Sequence, residues 1–443
     1  MRVGVVLCGF LLVSIAASAQ RTVRYDLSVN DTTVTYKSKT VSALAINGQI
    51  PAPVLEFTEG DTAEIHIHNK MHHETSLHWH GLILPNRYDG VPYLTTAPIR
   101  GHSSVVYKFP IVQNGTYWYH SHTMLQEQLG LYGALIIHKR KQPMEKEHIV
   151  VLSDWTNENP KQVERSLHYA TDWYAIKKKA TQNYAQAVRE GHLGTKLENE
   201  WKRMLAMDVS DVYYDQFTTN GRSQDSMPDA KPGDTIRLRV INAASSTYFW
   251  LNYGEGKIIV VASDGKDVEP VEVDRLIIGV SETYDLKVVL PGDGRFEFRA
   301  TSEDRTGFTS LWLGKGIDNT AKPLPRLNYF EGMKMMNDMK HTDGSMDDMG
   351  MNMSLQQMDM NMVMYPELTE GDPIVTLNYG MLKAPEPTTL PDVPTRTIHF
   401  DLTGNMNRYV WTIDNKTVSE TDKILMRKGE NIRMVIRNNS MMR

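Results

Sequence analysis

An all-β architecture of tandem sandwich domains is the fold this sequence predicts, and three observations carry it. Short runs with apolar residues at alternate positions recur: Val34-Thr35-Tyr36, Ala63-Glu64-Ile65-His66-Ile67, Ser104-Val105-Val106-Tyr107-Lys108-Phe109 and Leu135-Ile136-Ile137. Alternation sends one set of side chains to each face of a strand, as a half-buried strand requires. Turn signals separate the runs: Asn47-Gly48, Glu59-Gly60-Asp61, Asp89-Gly90 and Asn114-Gly115. The same pattern resumes over Thr235 to Ile241, Lys257 to Ala262, Arg275 to Val280 and Tyr284 to Leu290, and continues to about Leu313. Short strands at this spacing build sandwiches or barrels. A chain of 443 residues has room for roughly two to four domains.

One segment, Asn159 to about Met207, breaks the pattern. Asn159-Pro160 has the form of a helix start, a capping side chain followed by proline in the first turn. Apolar residues then recur at Val163, Leu167, Ala170 and Tyr174, so one or two amphipathic helices inserted into the second β domain are expected.

The first residues read as an export signal. Met1-Arg2 gives a short positive start, Val3 to Ala17 is almost entirely apolar, and Ala17-Ser18-Ala19 fits a small-residue cleavage site. The apolar run is short for a membrane span, and no other segment reads as transmembrane. Cys8 is the only cysteine. It lies too early to be a lipid-bearing cysteine and leaves with the signal peptide (1–19), so no disulfide is expected despite an oxidising destination. A net charge of −5 argues against nucleic acid as a partner.

Chemistry enters at two His-X-His pairs, His78-Trp79-His80-Gly81 and His120-Ser121-His122. On a strand, residues i and i+2 share one face about 6.5 Å apart, so each pair projects two imidazoles in one direction. If the two strands are neighbours, four nitrogen ligands converge, and imidazole suits copper, zinc, iron or nickel. Leu77, Trp79 and the run Gly81 to Leu84 surround the first pair, and Tyr117-Trp118-Tyr119 precede the second. Such surroundings exclude water and leave a buried imidazole in need of a partner.

The other histidines read differently. His66 and His68 share the spacing but alternate with core-facing Ala63, Ile65 and Ile67, which puts them on the solvated face. His72 and His73 fall in a polar turn, and His102, His138, His148, His168, His192 and His399 are isolated. Residues Met333 to Met364 hold 12 of the 25 methionines, mixed with Asp, Asn, Gly and Ser. That composition predicts a surface loop rather than a packed core. Thioether sulfur selects cuprous ion, which gives the loop a ligand role, with His341 as a weak helper. The rival reading is a linker without ligands.

At these residues the chain resembles a family. His78-Trp79-His80-Gly81, Asp89-Gly90-Val91-Pro92, Gly115 to His122 and Gln126 to Gly133 resemble the multicopper oxidases, closest to the bacterial copper-resistance branch. The likeness continues through Arg237 to Ala243, Asp264-Gly265, Glu282 to Asp285, the methionine-rich stretch and Asn438 to Met442. It implies three cupredoxin-like Greek-key sandwiches in a row. It implies also a three-copper cluster where O₂ is reduced to water, fed by a blue copper in the third domain. By resemblance His78 would ligate the type 2 copper, and His80, His120 and His122 the type 3 pair. Asp89 would be an acidic residue feeding protons to bound oxygen, its bland alternative being a turn residue before Gly90.

The domains expected are 21–142, 146–320 with the helical insertion at about 159–207, a methionine-rich segment at 330–366 and a partial third domain at 370–443. The implied reductant is cuprous ion or a phenolic, the location the periplasm and the role copper tolerance. The chain departs from the family by offering only half of the three-copper ligands and none of the blue-copper ones. Members carry two further histidine clusters in the third domain, one containing the cysteine that blue copper requires. This chain offers no such cysteine, and some 74 residues from Glu370 onward fall short of the roughly 100 of a sandwich domain. The expectation is an incomplete copy that does not turn over by itself. The alternative is a non-enzymatic protein that sequesters copper.

Overall fold

The computed structural model describes residues 21–439 except 37, 142, 144, 170, 182, 202–208, 255, 332–363, 366–373, 406–407 and 422. Five sheets and a few short helices make up the described chain, in agreement with the all-β expectation. The first part holds β1 (Thr22–Tyr36), β2 (Lys39–Ile46), β3 (Ala52–Thr58) and β4 (Thr62–Asn69). After these come β5 (His78–His80), β6 (Ser104–Pro110), β7 (Gly115–His120) and β8 (Tyr132–His138). They form two four-stranded sheets, ordered β2-β1-β4-β6 and β3-β8-β7-β5. The alternation read from the sequence fills the space between them. Val29, Ile65, Ile67 and Phe109 from one sheet meet Leu55, Phe57, Trp79, Tyr119 and Leu135 from the other.

The second part begins with β9 (Glu147–Trp155) and then turns helical. Four short helices stand where one or two were expected: α1 (Pro160–His168), α2 (Trp173–Lys177), α3 (Tyr184–Arg189) and α4 (Leu193–Trp201). The start of α1 is as read, with the Asn159 side chain accepting from the Lys161 amide at 3.0 Å and proline in the first turn. Asn183 caps α3 in the same way, accepting from Gln186 N–H at 2.8 Å. Capping residues thus divide a stretch whose apolar period alone suggested longer helices.

Strands return as β10 (Gln216–Thr219), β11 (Gln224–Met227), β12 (Thr235–Asn242), β13 (Phe249–Tyr253) and β14 (Ile258–Ser263). Next are β15 (Lys266–Val273), β16 (Arg275–Ile278), β17 (Thr283–Val289), β18 (Gly294–Ser302), β19 (Phe308–Lys315) and β20 (Asp318–Asn319). One sheet runs β10-β9-β12-β17-β14-β15 and the other β11-β19-β18-β13-β16, with β20 on β18. Leu238, Val240, Leu286 and Val288 face Leu251, Phe298, Leu311 and Leu313 across the gap. A last sheet has β21 (Thr395–Asn405) between β22 (Val410–Ile413) and β23 (Asn431–Asn438).

The methionine-rich segment lies outside the described residues, apart from its last member. Met364 is buried with Trp250, Leu327, Tyr329 and Tyr365, so that end of the stretch belongs to a packed cluster. His341 also lies outside the described residues.

Candidate metal centre

The site grows from the pairing of β5 with β7. These strands are antiparallel neighbours, in register His78 to His120, Trp79 to Tyr119 and His80 to Trp118. Trp79 and Tyr119 point into the first core and are fully buried. Strand alternation therefore turns His78, His80, Trp118 and His120 to the opposite face. There Trp118 packs with Tyr132, Ala134, Val151, Ile241 and Ala243, so β7 is covered on both sides.

Three histidines converge. One ring nitrogen from each of His78, His80 and His120 lies within 4.8 Å of the others. His80 Nδ1 stands 3.4 Å from His120 Nε2. The His120 ring stacks on Trp118 with centroids 4.1 Å apart, and His80 stacks on the same indole at 5.2 Å. His122 sits at the rim. Its ring centroid is 5.8 Å from that of His78, and its side chain is exposed. Strand geometry explains the difference, because β7 ends at His120 and period-two alternation no longer governs the residue beyond. A Ser76 hydroxyl fixes its main chain, accepting from the His122 amide at 3.1 Å.

Two of the rings have their remaining nitrogen engaged. His78 Nδ1 lies 2.7 Å from the main-chain oxygen of Asp89, and His120 Nδ1 lies 2.7 Å from Glu127 Oε2. Both partners are acceptors, which assigns the proton to Nδ1 and leaves each Nε2 lone pair free to bind. Asp89 therefore reaches His78 by its backbone, while its carboxylate stands 3.5 Å from the same nitrogen and accepts from Thr95 Oγ1 at 3.3 Å. Gly90 is required by the turn. It has φ of +86°, and a Cβ there would fall 1.8 Å from the Leu77 carbonyl oxygen.

Burial lowers the pKa of His78 below the ordinary histidine value. It takes His80 down to about 4, helped by the neighbouring imidazoles. Rings held neutral at physiological pH keep the lone pairs a metal needs. A donor set of convergent neutral imidazoles fits copper.

Glu127 and Gln126 were not singled out by sequence reasoning, although both lie in a quoted motif. Gln126 is buried, accepts from Thr75 Oγ1 at 2.7 Å and Ser121 Oγ at 2.9 Å, and donates to Glu74 O at 2.8 Å. It ties down the loop that presents His122 and Glu127. A carboxylate seven residues beyond a histidine has no periodic signature, so only the folded loop reveals it. His66 and His68 lie as expected on the outer face of β4, beside Glu64 at 3.0 Å and Asp26 at 3.4 Å.

Tandem cupredoxin-like sandwiches carrying a convergent histidine cluster define a class of copper proteins. Family models described as multicopper oxidase match residues 28–142 and 146–314. The chain is 34% identical to copper resistance protein A of Escherichia coli, over 98% of its own length and 83% of that protein. It is also 34% identical to the copper resistance protein A homolog of Pseudomonas syringae pv. tomato, over 94% and 80%. Among solved structures, Fet3p, a multicopper oxidase that functions in iron import, is similar with a TM-score of 0.60. That match is 20% identical and covers 87% of this chain and 61% of Fet3p. A multi-copper oxidase from Pseudomonas thermotolerans gives a TM-score of 0.58 at 18% identity, covering 95% and 82%. These structural likenesses establish the fold. The chain belongs to the multicopper oxidase family, a family of oxidoreductases. Within it, the relatives it matches over most of its length include copper resistance protein A.

Proposed function

We propose that this protein is an exported, periplasmic copper-dependent oxidase serving copper tolerance. It couples one-electron oxidation of a reductant, cuprous ion or else a small phenolic, to the four-electron reduction of O₂ to water. The observation that carries this reading is the approach of His78, His80 and His120 nitrogens to within 4.8 Å on the paired strands β5 and β7. In it His78 would hold the type 2 copper, and His80, His120 and His122 would hold the type 3 pair. Copper, when bound, supplies the one-electron redox chemistry toward O₂.

The protein's residues do the rest. Glu127 and the Asp89 carbonyl keep the proton of His120 and His78 on Nδ1, which leaves Nε2 as the nitrogen that would bind a metal. Trp118 shields the faces of His80 and His120 from water. The half-buried Asp89 carboxylate is placed to hold a proton at Oδ1, 3.5 Å from the His78 ring. The domain assignment that accompanies this reading is a signal peptide at 1–19 and sandwiches at 21–142 and 146–320. It continues with a methionine-rich segment at 330–366 that delivers cuprous ion, and part of a third sandwich at 370–443. Among the described residues no helix is long and apolar enough to cross a membrane.

Blue copper does not fit this chain's residues. The sole cysteine is Cys8, within the proposed signal peptide, and His399 is the only histidine after His341. Turnover in this reading draws on ligands that these residues do not supply. That same deficit, with the methionine run, favours the second reading, a protein that sequesters copper without oxidising anything. Copper counting on the purified chain and on a variant with His78, His80, His120 and His122 all changed to alanine tests the cluster. Equal uptake by the two sinks it. Copper loading of this chain should give no intense visible thiolate-to-copper absorption. O₂ consumption with cuprous ion by the copper-loaded protein supports the oxidase, and copper uptake without O₂ consumption supports sequestration.

A further inference from the structure

A second group of histidines comes together away from the central cluster. His72 follows β4 and His102 precedes β6, and in the sequence the two show no ligand pattern. The fold places His102 Nε2 3.0 Å from His72 Nδ1, with the rings perpendicular and centroids 4.6 Å apart. Both side chains are exposed. Two nitrogens bound to one zinc or cupric ion at about 2.0–2.1 Å, side by side in its coordination shell, lie about 3 Å apart. The pair already has that spacing.

The main chain around the pair is fixed in advance. Asn69, 1% exposed, donates from its amide to the carbonyls of His73 at 2.8 Å, Ile99 at 3.0 Å and Arg100 at 3.1 Å. Its oxygen accepts from the Met71 amide at 3.0 Å. One buried side chain thus ties the two loops together. His102 adopts φ of +55°, a left-handed conformation that histidine, asparagine and aspartate take more readily than other side chains, and its amide donates to Met71 O at 3.2 Å. Gly101 permits the approach, since a Cβ there would meet the His72 carbonyl oxygen at 2.5 Å. By contrast, a hydrogen bond between two solvated neutral imidazoles gains little over their bonds to water. A rigid scaffold that holds two lone-pair donors at ligand spacing suits a metal ion better.

We propose that His72 and His102 form a separate, surface-exposed site for a divalent ion of borderline softness, cupric before zinc in affinity, with water filling the other positions. Its exposure makes the ion readily exchangeable. Zinc titration against a chromophoric chelator tests it, using a chain in which His78→Ala and His80→Ala disable the central cluster. One ion should bind, and adding His72→Ala, or His102→Asn, which tolerates the positive φ, should weaken it at least tenfold. Unchanged binding in both variants, or loss of the ion already in the His78/His80 background, overturns the proposal. A second measurement needs no variant. Zinc should protect His72 and His102 of the unaltered protein from carbethoxylation, read by peptide mass spectrometry, and labelling indifferent to zinc also overturns it.

Discussion

At the scale of single residues, the site depends on which ring nitrogen carries the proton. His120 has its Nδ1 beside Glu127 Oε2 at 2.7 Å and beside the Ser121 carbonyl at 3.0 Å, so Nε2 is the free ligand. Glu127→Gln keeps the shape but removes the charge that strengthens the ring as a donor. Copper affinity should fall about 10–100-fold, the range found when a partner of a metal-bound histidine is lost. An unchanged dissociation constant would remove Glu127 from the site's chemistry. His80 makes a second expectation, for the metal-free protein. Burial lowers its pKa from 6.5 to about 4, so between those values the unfolded chain binds a proton that the folded chain does not. Stability should therefore fall as pH drops below about 6.5 and level off below about 4, a loss on the order of 3 kcal/mol. His80→Phe, which keeps an aromatic ring against Trp118, should flatten that part of the profile in thermal melts.

At the scale of elements, β7 is the member on which the site turns, and a buried network clamps it to the second pair of sheets. Thr116 Oγ1 donates to Asp285 Oδ1 at 2.5 Å on β17 and accepts from Arg239 Nη1 at 3.0 Å on β12. Asp285, 2% exposed, also receives Arg237 at 3.0 Å and Arg239 at 3.3 Å. Thr283 Oγ1 donates to the Thr116 carbonyl at 3.0 Å, and Tyr117 OH donates to Gly265 O at 3.2 Å. Asp285→Ala would leave two guanidinium groups without their shared carboxylate. Arg237 keeps Glu145 at 3.1 Å and Arg239 keeps Glu147 at 2.8 Å, so a cost of about 1–3 kcal/mol is expected from denaturant unfolding. If the loss stays under about 1 kcal/mol, the clamp is not what holds β7.

The same element shows what the sequence revealed and what it did not. Alternation in Trp118-Tyr119-His120 and His78-Trp79-His80 fixed which side chains share a face, and the register of β5 on β7 makes that face common. His122 follows the rule less well because the strand has ended. Glu127 and Gln126 reach the site through loop folding, and His72 meets His102 across two turns. No periodicity in a linear sequence encodes contacts of that kind. The capped breaks between α1 and α4 were hidden for the opposite reason, since the apolar period runs across them.

At the scale of the whole molecule, the last sheet differs from the other four. The first two sheets face each other across one apolar core and the next two across another, as layered β architecture demands. The sheet β22-β21-β23 has apolar side chains open on successive positions. Met434, Val435 and Ile436 are 47%, 40% and 56% exposed, and Trp411 on β22 is 48% exposed. Successive positions point to opposite faces, so both faces of β23 present apolar surface, and β22 and β23 are the free edges of the sheet. Open edges and apolar patches of this kind promote pairing between chains. The described protein should therefore associate as its concentration rises, visible as a growing sedimentation coefficient. Val435→Lys combined with Trp411→Lys places charge on β23 and β22 without emptying a core, and should shift that association to markedly higher concentration. A sedimentation coefficient constant over a hundredfold range in the unaltered chain would mean that this surface is covered by some other part of the protein.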